Sequence, residues 1–221
     1  GPGFATLDLA ERVGPTGRVH AVERSTRFLD FLRGAATARG ITNISPHELD
    51  LMECPLPTGP YDAAWCRWVA SFVESPRRLV EQLYRVLKPG GVAVFHEYVD
   101  YGAWRMVPRR PLQEEFVERV MSTWRANGGE PDIALVLPGL LTAAGFRIRY
   151  AEPRIFALRP QDAMWQWTGT FIRVNSARMV ELGTADAAWA KRVVQELEAA
   201  EADPASFTVT PMVLELVAEK P

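Results

Sequence analysis

Four times within its first hundred residues the chain passes between a helical pattern and a short strand-like run. Phe4, Leu7, Leu9, Ala10 and Val13 recur at helical spacing and stop at Gly14-Pro15, which predicts a helix with a breaker behind it. Arg18 to Glu23, RVHAVE, then alternates as a short strand does. Ser25 is placed to cap a second helix reaching Gly40, with Phe28, Leu29, Phe31, Leu32 and Ala36 as its apolar stripe. Asn43 to Leu49 reads as a strand in spite of Pro46, and Tyr61 to Cys66 as another. Ser75-Pro76 opens a helix through Leu87, with proline at the first helical position. Lys88-Pro89-Gly90-Gly91 turns sharply into the strand Val92 to Glu97. Alternation at this spacing implies parallel strands covered by helices on both faces, a doubly wound α/β sheet.

Beyond Tyr98 the rhythm changes. A helical pattern covers Leu112 to Arg125, and a second, started or interrupted by Pro138, lies within Ile133 to Ala144 and ends at Gly145. Phe146 to Ala151 resumes as a strand. Two long helices follow, Asp162 to Leu182 and Asp186 to Ala202, and Phe207 to Ala218 favours a final strand. No repeat or low-complexity linker divides the chain, so segments 98–131 and 160–203 read as insertions on a single domain spanning 1–221. At 221 residues the chain suits one substantial core.

Charge and composition narrow the partners. With 25 Lys+Arg against 27 Asp+Glu and no basic run, a nucleic-acid partner is not suggested. No apolar stretch approaches the roughly 20 residues that span a bilayer, and the visible N-terminus lacks the parts of a signal peptide. A soluble, cytoplasmic protein is expected. Cys54 and Cys66 make no metal pattern and read as buried thiols, so no metal site is expected.

In an open α/β sheet, ligands sit beyond the carboxyl ends of the strands. That rule selects Gly1 and Gly3 (if a strand precedes them), Glu23, Asp50, Arg67 with Trp68, and His96 with Glu97. Glu23 ends its strand, where a carboxylate either accepts hydrogen bonds from the two hydroxyls of a ribose or stands solvated. Gly3 lies twenty residues earlier, and glycine lets a backbone approach a ligand closely or take positive φ. Asp50 could accept from an adenine amino group while Leu51 covers the ring face; the competing reading is a capping or exposed acid.

Taken together these residues resemble the class I S-adenosylmethionine-dependent methyltransferases. The resemblance rests on Gly1-Pro2-Gly3-Phe4 as the latter half of a glycine-rich turn, Ala21-Val22-Glu23-Arg24-Ser25, Asp50-Leu51 ahead of Cys54-Pro55-Leu56-Pro57, Tyr61-Asp62, and Leu87-Lys88-Pro89-Gly90-Gly91. It covers about residues 1–150 and implies a Rossmann-like sheet whose last strand is an antiparallel edge strand inserted into it. It implies S-adenosyl-L-methionine as cofactor, held by Gly1, Gly3, Glu23, Arg24, Asp50, Leu51 and Arg67. The subgroup it looks most like methylates small molecules, as in quinone and natural-product biosynthesis. One departure is the absence, ahead of Gly1, of the first strand with its acid and glycine. A sheet without that strand would leave ladder groups unpaired, and residues upstream of Gly1 are therefore expected.

A methyl group on a sulfonium is intrinsically electrophilic, so the protein's task is to align a nucleophile and exclude water. His96 and Glu97 are the candidate bases, of which strand alternation allows only one on a given face. His20 and His47 lie inside strands and read as structural. The two insertions carry the aromatic residues: Tyr98, Tyr101, Trp104, Trp167 and Phe171 are the candidate substrate pocket, in a cap over the cofactor mouth. Met164, Trp167 and Phe171 fall on one helical face, read as core packing first and pocket lining second. Arg105, Arg109, Arg110 and Arg173 could bind an acidic group or stand solvated. The partners expected are a small apolar or aromatic substrate and, optionally, a second copy of the chain. Two alternatives stay open: a nicotinamide-dependent oxidoreductase, although Thr6 stands where its third glycine belongs, and a non-catalytic cofactor-binding subunit.

Overall fold

Each of the four alternations becomes an element of the computed structural model, which describes residues 1–221. Helix α1 (Phe4–Val13) leads to β1 (Val19–Glu23), α2 (Thr26–Ala38), β2 (Ile44–Glu48), β3 (Tyr61–Arg67), α3 (Pro76–Val86) and β4 (Leu87–Asp100). Ser75 caps α3 by accepting from the Arg78 N–H at 3.3 Å, with Pro76 at the first helical position. Ser25 does not cap α2 through its side chain. Its backbone N–H donates instead to Glu23 Oε1 at 2.9 Å, which ties the strand end to the helix start.

The strands form two central ladders. β1 and β2 pair in parallel, and β3 and β4 pair in parallel across the α3 crossover. No ladder joins β1 to β3, so each leaves one edge unpaired. The chain then adds α4 (Pro111–Ala126), α5 (Leu137–Ala143), β6 (Arg147–Arg154), α6 (Trp165–Glu181), α7 (Ala187–Ala202) and β9 (Met212–Glu219). Three short strands, β5 (Arg105–Val107), β7 (Ala157–Leu158) and β8 (Phe207–Val209), complete the order.

β9 runs antiparallel between β4 and β6, giving the order β3-β4-β9-β6. It is therefore an interior strand, and β6 is the edge. The single strand expected over Phe207–Ala218 is two. Pro211 has no N–H for a ladder, and the chain breaks there. β8 pairs with β5 and β7 in a separate antiparallel sheet.

α3 and α5 cover one face of the four-stranded sheet, where Ala93, Phe95, Leu216 and Ala218 pack with Leu79, Leu83, Leu137 and Leu141. The opposite face is half-open: Trp65 is 39% and Tyr150 38% exposed. α1 and α2 pack on β1 and β2 through Leu7, Ala21, Leu32 and Ala36.

The two insertions share a core of their own with seventeen buried residues, against fourteen in the sheet core. They are thus a packed layer rather than long loops. Trp104 is fully buried there, and its indole N–H reaches Thr208 Oγ1 at 3.1 Å. Asp186 caps α7 by accepting from the Trp189 N–H at 2.7 Å. On α6 the buried stripe is Trp165, Thr168, Ile172, Ser176 and Met179. Met164 lies just before the helix and is exposed, while Trp167 and Phe171 are half-buried against the cap core.

Candidate cofactor and substrate site

Gly3 holds the turn into α1. Its φ is +88°, a conformation that disfavours any Cβ, and its C=O accepts the Leu7 N–H at 2.9 Å. A Cβ there would also run into Leu32. Glu23 ends β1 and is half-buried, with Oε1 on the Ser25 N–H and Oε2 on the Gly1 amino group. Burial alone would raise its pKa. The hydrogen bonds from the Gly1 amino group and the Ser25 N–H outweigh it and hold the carboxyl below the ordinary glutamate range. Asp50 ends the neighbouring β2 connection: Oδ1 accepts the Met52 N–H at 2.8 Å and Oδ2 lies 3.6 Å from Arg24 Nη1. The Leu51 C=O accepts from Gln82 Nε2 at 2.8 Å, and its side chain packs on the sheet core.

These residues suit an adenosine-bearing cofactor on the chemistry of their donors and acceptors. Glu23 is a half-buried carboxylate whose Oε1 accepts the Ser25 N–H, and one oxygen of Asp50 has only a distant partner, so both acids can accept from the O–H and N–H donors of an adenosine. Glu23 and Asp50 are joined through the run Glu23-Arg24 and the Arg24–Asp50 pair, so the two acids belong to one neighbourhood.

Arg67 and Trp68 follow β3 at its carboxyl end. Arg67 is exposed, with its guanidinium 5.2 Å from the centre of the Trp68 ring. The ring of Trp68 stacks with those of Tyr98 at 5.6 Å and Trp167 at 5.5 Å. The sheet and cap meet here, and again where Phe72 packs edge-on to Trp124 at 4.7 Å.

His96 and Glu97 part company as strand alternation requires. Glu97 points to the α3/α5 side at 0% exposure. Its Oε1 accepts the N–H groups of Val69 and Ala70 at 2.8 and 2.9 Å, and its Oε2 accepts the Ser71 N–H at 3.3 Å and hydroxyl at 2.8 Å. Burial nevertheless pushes this carboxyl above the ordinary glutamate value. A carboxylate so engaged is placed to hold the turn after β3 rather than to meet a ligand. Ala93, Phe95 and Glu97 occupy alternate positions of one strand, and that alternation was the available signal that Glu97 faces the core.

His96 faces the half-open side. Its ring lies 4.6 Å from that of Trp65, and Nε2 sits 3.5 Å from Glu215 Oε1 without the alignment of a hydrogen bond. Burial lowers its pKa, helped by Arg67 and Arg154 and opposed by Glu215. Glu215, on β9, is a neighbour that no local spacing announces. His20 and His47 are stacked across β1 and β2 with Nδ1 and Nε2 3.0 Å apart, a structural pair.

Of the expected pocket residues, Tyr98, Tyr101 and Trp104 are buried within the cap core, and only Trp167 and Phe171 keep part of their surface. The cap arginines are engaged: Arg109 with Glu114, Arg110 with Asp203, Arg173 with Glu201, and Arg105 with the C=O of Trp104. Cys66 is buried, with burial and then Glu97 pushing its thiol up to about 12, but Cys54 is exposed. A polar cleft of about 490 Å³ lies elsewhere, between Gln166, Thr170, Arg173 and Glu201. No helix is long and apolar enough to cross a membrane.

A four-stranded mixed sheet with an antiparallel strand laid inside it, beside a parallel strand pair that leads to Glu23 and Asp50, makes a Rossmann-like α/β fold. Residues 1–95 match the family described as a methyltransferase domain. A demethylmenaquinone methyltransferase of Geobacillus stearothermophilus is 30% identical over 89 residues, covering 40% of this chain and 38% of that protein. A 2-phytyl-1,4-naphtoquinone methyltransferase of Nostoc sp. is 32% identical over 125 residues, covering 56% of this chain and 49% of that protein. The chain thus spans between about a third and a half of these relatives' length. The crystal structure of the [4+2]-cyclase SpnF superposes with a TM-score of 0.60 at 23% identity, covering all of this chain and 72% of that one. At that identity the likeness speaks for the fold.

Proposed function

We propose that the protein transfers a methyl group from S-adenosyl-L-methionine to a small, flat, apolar or aromatic metabolite. The observation that carries this reading is the positive-φ turn at Gly3 into α1 together with the Glu23 carboxylate that ends β1, both inside the segment that matches the methyltransferase domain. Thr6 lies inside α1 where a dehydrogenase would need its third glycine, and the relatives are methyltransferases, not oxidoreductases.

The cofactor, when bound, supplies an electrophilic methyl group on a sulfonium. Glu23 binds the ribose hydroxyls, Asp50 and Leu51 frame the adenine, and Gly1 and Gly3 bring backbone close to the amino-acid part, with Arg24 and Arg67 at the rim. The cap, 98–131 with 160–203, excludes water and orients the substrate over the strand ends, all within one methyltransferase unit. Orientation of this kind can supply ~7–11 kcal/mol of a barrier. His96 takes the acceptor's proton, as the one of the two candidate bases whose side chain is not wholly buried. The names of the relatives favour a quinol-like substrate.

Two measurements test this reading. Calorimetry should show S-adenosylhomocysteine binding, and a labelled-methyl screen against small hydroxylated aromatics should show turnover. Absence of binding would remove the cofactor assignment, and binding without turnover would favour a non-catalytic subunit.

A further inference from the structure

Trp68 has a φ of +53°, the only non-glycine residue of the chain with positive φ. Bulky side chains seldom occupy that region, and such strained positions gather at functional sites. Two contacts hold it. Its N–H donates to the His96 C=O at 3.0 Å, and the next three residues give their N–H groups to Glu97. Two independent anchors from β4 thus fix the turn on which this one indole is displayed.

The ring itself sits at the seam between sheet and cap, among Tyr98, Trp167 and the Arg67 guanidinium. Its Nε1–H has neither solvent contact nor an acceptor. Buried donors without a partner are uncommon, and each asks what completes it. The neighbouring rings are aromatic, so a ligand entering this seam would meet flat apolar surfaces and one unpaired N–H donor, which an oxygen can accept. A site that offers a buried donor rejects analogues lacking the matching acceptor far more strongly than apolar contacts alone can.

We propose that Trp68 is the acceptor-recognising residue of this site, its indole N–H hydrogen-bonding an oxygen of a hydroxylated aromatic molecule, and that Glu97 is the residue that positions it. This deepens the methyltransferase reading and rests on it for the identity of the site. The oxygen is held in the plane of the indole while the hydrocarbon body packs against the surrounding rings. Glu97 acts through Trp68 and touches no substrate.

The test uses two probes of equal shape, 1-naphthol and naphthalene, together with S-adenosylhomocysteine. The protein should prefer 1-naphthol, and Trp68→Phe, which keeps an aromatic ring and removes the N–H, should weaken 1-naphthol about tenfold or more. Naphthalene and S-adenosylhomocysteine affinities should stay within about twofold. Glu97→Gln should reduce the preference for 1-naphthol, whereas a merely structural role would weaken both probes together. Among the seven tryptophans, one indole N–H resonance, absent from Trp68→Phe, should move downfield with 1-naphthol and not with naphthalene. Equal affinities in wild type and Trp68→Phe, no preference in the wild type, or a stationary resonance would overturn the proposal. Loss of S-adenosylhomocysteine binding with Trp68-dependent naphthol binding intact would instead remove the cofactor reading and leave this one standing.

Discussion

Gly3 and Leu32 are so close that a Cβ built on the glycine would lie 2.6 Å from Leu32 Cδ1. Leu32 is buried in the α1/α2 core, where it packs with Leu7, Ala21 and Ala36. The turn's positive φ and this contact both demand glycine, so the feature has a structural basis whatever the ligand.

Gly3→Ala should therefore cost about 2–4 kcal/mol, adding a left-handed alanine to an overpacked contact. Urea unfolding measures it. In a Leu32→Ala background the Gly3→Ala cost should shrink by the overpacking share, leaving about 1–2 kcal/mol for the backbone. An unchanged cost in that background would mean the contact with Leu32 contributes nothing.

Glu23→Gln should weaken S-adenosylhomocysteine about 10- to 100-fold, the span expected for hydrogen bonds to a charged acceptor. Because the Glu23 carboxyl is held below its ordinary range, it remains ionised to lower pH than a free glutamate. Its contribution to stability is present above the ordinary value and is lost as pH falls through the depressed one. Cofactor affinity should follow the same direction, weakening only at acidic pH. Calorimetry across pH on wild type and Glu23→Gln checks both statements.

Much of this was readable in the chain because the first hundred residues obey local rules. α1 stops at Gly14, α3 starts at Ser75-Pro76, and β1 ends in an acid, each through physics confined to a few neighbours. The rest depends on distant partners. β5 and β7 span three and two residues, too short for a period to appear, and exist only because β8 pairs with both. Trp104 is core because Thr208, far along the chain, receives its N–H. The buried stripe of α6 begins at Trp165 rather than Met164, since the helix starts at Trp165, three residues after the Asp162 that the sequence pattern suggested. Glu97 reads as a base from its position and as an anchor only once Val69, Ala70 and Ser71 are seen to converge on it.

Glu97→Ala should be among the most destabilising single substitutions, because it leaves three N–H groups and a hydroxyl without their acceptor in a buried turn. Unpaired buried donors cost about 1–3 kcal/mol each before the turn relaxes, so a loss of at least about 3 kcal/mol is expected. Glu97→Gln keeps one acceptor oxygen and should lose less. Thermal and urea unfolding give the order. A Glu97→Ala protein of wild-type stability with reduced turnover would restore Glu97 as a chemical participant and end the anchor reading.

His96 is the base whose pH dependence is most telling. Burial depresses its pKa below the ordinary histidine value of 6.5, so the imidazole stays neutral, and able to take a proton, into mildly acidic solution. The acid limb of kcat/KM should therefore have its midpoint below pH 6.5. The same sign applies to stability: the folded state binds this proton less readily, so the histidine's contribution is complete above 6.5 and is lost as pH falls through the depressed value. His96→Ala should lower kcat by about 10²- to 10⁴-fold and abolish that limb, with S-adenosylhomocysteine affinity retained. Glu215→Gln removes the one neighbour that raises the histidine's pKa and should move the limb further toward acid. A midpoint at or above 6.5, or a limb that survives His96→Ala, would assign the proton to another group.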